Sequence, residues 1–144
     1  MPAVDWRGDD QVSWVIEFNG HRIIHCGDTM WHGRWWRIAR EYGPFDWAFL
    51  PINGAIATGR GSEPSGLPTT LTPKQACAAT RILRASKLCP IHYRTFNNPP
   101  IYVEQPNFRD ALAQAAREEK VDVRLLNPGD AVAWGDDDLQ SKAA

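Results

Sequence analysis

Hydrophobic and polar positions along this chain follow two different periods. Gln11 to Glu17 (QVSWVIE) alternates in part, as a half-buried strand does. Asn19-Gly20 follows, the strongest short signal for a hairpin turn, and His21 to Cys26 (HRIIHC) returns as a second strand. Gly27-Asp28-Thr29 breaks that strand. From Trp31 to Tyr42 the period lengthens: Trp31, Trp35, Ile38 and Ala39 fall on one side of a predicted helix, and Arg34, Arg37 and Glu41 on another. Gly43-Pro44 ends it, because glycine tolerates the terminal turn and proline cannot continue the helix.

Phe45 to Ile52 (FDWAFLPI) is an apolar run short enough to be a buried strand. Asn53 to Thr70 is rich in Gly, Pro, Ser and Thr, and a loop of that length inside a compact domain is usually functional or mobile. Thr72-Pro73-Lys74-Gln75 predicts a helix start with a capping box, the helix running to about Ala85. Lys87 to Ile91 is a brief strand with His92 just past it. Asn107 opens a further helix to Glu119, with Phe108, Leu112 and Ala115 or Ala116 inward. Val121 to Leu126 and Ala131 to Trp134 read as closing strands. The resulting order, β-β-α-β-α-β-α-β-β, predicts an α/β layered fold. Residues 1–135 form a single expected domain, and 136–144 an acidic tail expected to be disordered.

Composition changes this picture little. A chain of 144 residues with net charge -1 is large enough for one core, and nothing global draws it to nucleic acid or an anionic surface. No apolar run approaches bilayer length, so no integral membrane segment is expected. The first ten residues carry neither a basic nor an apolar leader region. Cys26, Cys77 and Cys89 show no paired spacing and read as free thiols, which points to the cytoplasm. Seven tryptophans are many for this length, and Trp31, Trp35, Trp36 and Trp47 crowd one region. An aromatic core patch is the favoured reading and a contact surface the other.

Two residues combine the right chemistry with the right place. Asp28 and His92 each follow a strand, and open α/β sheets put their sites at the carboxyl ends of strands. Carboxylate and imidazole both ligate zinc, iron or manganese. Taken singly, an Asp in a turn more often caps backbone N–H groups, and a lone His is more often a surface residue. His25 and His32 flank Asp28; the first reads equally as a packed strand residue and the second as a solvated one. No local metal signature, serine elbow or phosphate loop occurs. A cysteine nucleophile with His92 as base is a weaker idea, and the cluster Arg34, Trp35, Trp36, Arg37 and Arg40 reads as a solvated helix face rather than a nucleic-acid site.

Three ordered segments resemble the metallo-β-lactamase superfamily. WVIEFNGHRIIHCGDT (14–29) is similar to a hairpin ending in Gly-Asp-Thr; GPFDWAFLPI (43–52) is similar to a buried strand of that family. LTPKQACAA and CPIHYRTF, within 71–96, resemble a helix opening and a His-Tyr/Trp-Gly-Thr-Phe element, and NPGDAV near the end fits as well. The resemblance points to the branch that includes ascorbate-6-phosphate lactonases and the phospholipase D acting on N-acyl-phosphatidylethanolamines. It implies the C-terminal half of an αββα sandwich, a mixed sheet with helices on one face. It assigns Asp28 and His92 as metal ligands and catalytic residues, with zinc (or manganese or iron) weakly bound or absent without the other half.

The departures from that family pattern shape the expected function. The His-x-His-x-Asp-His signature of its first half is missing. Asp5 stands where a further ligand histidine is expected and becomes a candidate third ligand. Arg94 replaces the glycine of the His-Tyr-Gly-Thr-Phe element, and Thr70 or Leu71 replaces a histidine before the helix. The expected activity is a metal-dependent hydrolase of esters, lactones or phosphodiesters, incomplete as a stand-alone chain and completed by a partner chain supplying the missing half. The alternative is a non-catalytic binding or assembly domain in which two copies cover each other's open sheet face as a homodimer.

Overall fold

The computed structural model describes residues 12–58, 66–94 and 97–132. Along the chain they form β1 (Trp14–Phe18), β2 (His21–His25), α1 (Trp35–Tyr42), β3 (Phe45–Pro51), β4 (Ile56–Ala57), α2 (Pro73–Leu83), β5 (Ala85–Ile91), β6 (Tyr102–Val103), α3 (Phe108–Glu119) and β7 (Asp122–Val123). The larger sheet runs β1-β2-β3-β5-β7, antiparallel between β1 and β2 and parallel across the rest. β4 and β6 form a separate antiparallel pair.

Local chemistry explains most boundaries. Asn19 (φ 48°) and Gly20 (φ 80°) both take the left-handed conformation that a tight two-residue hairpin requires. The box at α2 is complete: Thr72 accepts from the Gln75 N–H, and the Gln75 side chain accepts from the Thr72 N–H. Arg84 caps the other end in a left-handed conformation, so β5 begins at Ala85, two residues before the strand predicted from sequence. Helix α1 starts at Trp35 rather than Trp31, because His32 turns its Nδ1 back to accept from the Arg34 N–H. The closing strand shortens to Asp122–Val123; Ala131 and Val132 are not in a strand, and Trp134 lies outside the described residues, as does the 136–144 tail.

The core lies on one side of the larger sheet. Ile24, Ala48, Leu50 and Leu88 meet Ala76, Cys77, Ala79 and Leu83 of α2, while Trp35 of α1 and Leu112 and Ala115 of α3 close the flanks. All three helices therefore share one face, as expected. Strand geometry sends alternate residues to the opposite face. There the register aligns Ile16 with Ile23, Ile23 with Trp47, and Trp47 with Lys87, whose ammonium sits 5.5 Å from the Trp47 ring centroid. Trp47 is buried, but β1 is exposed along its whole length, with Trp14 at 64%, Ile16 at 50% and Phe18 at 62% exposure. The tryptophans thus divide: Trp35 and Trp47 are core, while Trp14, Trp31 and Trp36 lie on the surface.

Candidate active site

Two chain segments bring the site residues to the carboxyl edge of the parallel strands. The β2–β3 ladder runs on to Cys26, whose N–H donates to Phe49 O at 3.1 Å. Gly27 (φ 56°) then turns the chain through a left-handed conformation that glycine adopts at little cost, and Asp28 follows. The β3–β5 ladder likewise ends where the Ile52 N–H donates to Ile91 O at 3.1 Å. His92 leaves at once with φ 52°. His92 Nδ1 and Asp28 Oδ1 lie 3.0 Å apart, with side chains 41% and 66% exposed. The two residues singled out from sequence therefore meet, across a separation of 64 positions.

Other sequence candidates fall differently. Asp5 lies outside the described residues. His25 stacks on Phe49 at 5.7 Å and accepts from the Gly27 N–H through Nδ1 at 3.2 Å, so it helps shape the turn that presents Asp28. Burial first, and the nearby His92 second, hold His25 below the usual imidazole range. His32 stacks on Trp35 at 4.0 Å, on the helical side, and is not brought to Asp28 by any contact. The three cysteines are buried and free. Burial pushes each of their thiols up to about 11, which suppresses the thiolate a nucleophile needs. On α1, Arg37 pairs with Glu41 at 2.8 Å, and Arg40 lies over the Trp36 ring at 5.1 Å.

Asp28 also opens onto a cleft of about 330 Å³ lined by Thr29, Met30, Thr69, Thr70 and Tyr102. Its walls are zipped by backbone bonds: Leu71 N–H to Thr29 O at 3.1 Å, Gly54 N–H to Leu71 O at 3.0 Å, Thr69 N–H to Ala55 O at 2.7 Å, and Gln105 N–H to Asn53 O at 2.9 Å. Behind them, the Thr70 hydroxyl donates to Asn53 Oδ1, and Asn53 Nδ2 donates to the Tyr102 hydroxyl at 2.6 Å. Asn53 and Tyr102 were not singled out from sequence. Asn53 carried one usable signal, a polar residue at the carboxyl end of the buried strand, but Tyr102 sits in a segment with no recognisable pattern.

The donor set bears on a metal. Among the described residues, no group of three or more His, Cys, Asp or Glu is placed to hold one. Asp28 and His92 supply a carboxylate and an imidazole within reach of each other, whereas a catalytic zinc takes three protein ligands and an open position. The described residues thus present two donors, fewer than a catalytic centre takes.

Comparison with known proteins identifies the family. The family model for the beta-lactamase superfamily domain matches residues 2–93, a span that includes both Asp28 and His92. A curated protein of Thermus thermophilus named a metal-dependent hydrolase is 37% identical over 116 residues, 81% of this chain and 42% of its own length. One of Thermococcus onnurineus with the same name is 32% identical over 117 residues, 81% of this chain and 43% of its own. The chain thus spans less than half the length of the curated relatives it matches. A solved metallo hydrolase of Ignicoccus hospitalis superposes with a TM-score of 0.56 at 31% identity, covering 83% of this chain and 44% of that one. The metallo-beta-lactamase fold protein YhfI of Bacillus subtilis, at 12% identity, shares the fold with a TM-score of 0.55 over 80% of this chain and 41% of its own. With that family match and the shared α/β architecture, the chain belongs to the metallo-β-lactamase superfamily.

Proposed function

We propose that the chain forms part of a metal-dependent hydrolase acting on an ester, lactone or phosphodiester, with Asp28 and His92 as two of its metal ligands. The observation that carries this reading is the contact of Asp28 with His92 at the carboxyl edge of the sheet. The names of its relatives support it. Asp5 is the proposed third ligand, and zinc, manganese and iron all accept such a set. When bound, the metal supplies Lewis-acid activation for hydrolysis. In this reading residues 1–135 are one unit, the C-terminal half of an αββα sandwich, followed by the acidic tail 136–144. The branch is that of the ascorbate-6-phosphate lactonases and the N-acyl-phosphatidylethanolamine phospholipase D, and the setting is the cytoplasm.

The open β1 face supports the idea of a complementary half, because Trp14, Ile16 and Phe18 expose the apolar surface that a second sheet would cover. A partner chain bearing the His-x-His-x-Asp-His motif would supply it. The test is metal-dependent turnover of p-nitrophenyl acetate, a simple lactone and bis(p-nitrophenyl) phosphate, by the chain alone and with such a partner. Turnover that requires metal and disappears in His92→Ala supports the reading. Metal-loaded protein that turns over none of them in either setting contradicts it.

The same exposed stripe favours a second reading, a non-catalytic homodimer in which two copies cover each other. Concentration-dependent dimerisation without metal-dependent turnover would select it.

A further inference from the structure

Tyr102 lines the same cleft as Asp28, and its hydroxyl oxygen receives a hydrogen bond from Asn53. Asn53 is 5% exposed; its Oδ1 accepts from Thr70, and its Nδ2 donates to the Tyr102 oxygen. A phenol that receives a hydrogen bond at its oxygen keeps its own O–H free to donate. Among the described residues the Tyr102 hydroxyl donates no hydrogen bond, and the cleft beside Asp28 lies open to a ligand. Thr69 cannot compete for the same role, because its hydroxyl donates to Ala55 O at 3.0 Å. Thr70 is likewise committed to Asn53.

We infer that Tyr102 is a substrate-binding residue, its hydroxyl aimed by Asn53 to donate a hydrogen bond to an acceptor oxygen of a substrate held beside Asp28. This deepens the hydrolase reading and rests on it. The recognised chemistry is an uncharged carbonyl or a phosphoryl oxygen, and Asn53 is the positioning residue.

The test reads binding without turnover, so it fails or succeeds separately from the hydrolase assay. The full chain, with isotopically labelled tyrosine, is titrated with δ-valerolactam as a carbonyl probe and dimethyl phosphate as a phosphoryl probe. The Tyr102 resonance, identified by its loss in Tyr102→Phe, is expected to move with at least one probe, and which one tells the substrate oxygen. Tyr102→Phe is expected to weaken that probe about 2- to 12-fold, the range for one neutral hydrogen bond. Asn53→Asp, which replaces a donor with an acceptor and draws the phenol proton inward, is expected to weaken it similarly with Tyr102 still present. Thermal melts establish that both variants are folded, and the wild-type resonance stands even if one is not. A Tyr102 resonance unmoved by either probe, or a folded Tyr102→Phe that binds them as well as wild type, overturns the inference.

Discussion

His92 Nδ1 touches Asp28 Oδ1 at 3.0 Å although the two residues leave different strands. Both side chains are well exposed, so the pair contributes little to folding; exposed ion pairs are worth about 0–1 kcal/mol. His92→Ala should therefore lower stability by less than about 1 kcal/mol in urea unfolding while reducing metal uptake strongly. A loss of several kcal/mol would mean that the pair is structural instead.

Arg94 departs from the glycine of the resembling element at a position whose backbone favours glycine. It adopts φ 66°, a left-handed conformation that costs a residue with a side chain roughly 1–2 kcal/mol, and the resembling element has glycine there. Part of that cost returns as unfolded-state entropy when glycine is introduced. Arg94→Gly should raise the unfolding midpoint modestly, by up to about 1 kcal/mol in stability. A lowered midpoint would show that the guanidinium makes a compensating contact.

The capping box of α2 offers a calibrated target. Thr72→Ala removes the acceptor for the Gln75 N–H and should cost about 1 kcal/mol in chemical denaturation. No change would mean that the helix start is held by packing of Pro73 and Ala76 alone.

The buried thiols set an alkaline limit. Each is raised from 9.0 to about 11 in the folded chain, so the unfolded state loses its protons first as pH rises. Their contribution is complete below pH 9.0 and is lost progressively up to about 11. On the acid side, His32 is lowered from 6.5, by burial first and by Arg34 second. Its contribution is present above 6.5 and falls as pH drops below that value, because the unfolded imidazole takes up its proton first. Denaturation followed across pH should show both declines, and native protein at neutral pH should react slowly with a thiol reagent.

The exposed stripe on β1 predicts self-association or partner binding. Ile16→Lys places a charge at its centre and should shift sedimentation toward monomer without lowering the melting temperature appreciably. Unchanged size at every concentration would remove the homodimer.

Much of this architecture was legible in the chain because its signals are local. The hairpin is announced by Asn19-Gly20, the start of α2 by Thr72 to Gln75, and the end of α1 by Gly43-Pro44. Asp28 and His92 could be singled out because both follow strands, but their contact depends on the parallel register of β2, β3 and β5, which no short-range pattern encodes. β4 and β6 were invisible for the same reason. Each has two residues, and they exist through pairing of Ile56 with Val103 and Ala57 with Tyr102 across a stretch of chain that holds α2 and β5. The Thr70–Asn53–Tyr102 chain hangs on that pairing. The start of α1 was misplaced because Trp31 fits the helical period, yet the His32 side chain competes for the Arg34 N–H.

The most direct test of the central claim is the metal content of tag-free protein by elemental analysis, beside the Asp28→Ala variant, after incubation with zinc, manganese or iron. The account predicts more metal retained by the wild-type chain than by the variant, weakly by the chain alone and stoichiometrically once a complementary half is present. Equal metal in both proteins, or none in either even with that half present, would contradict the assignment of Asp28 and His92 as ligands.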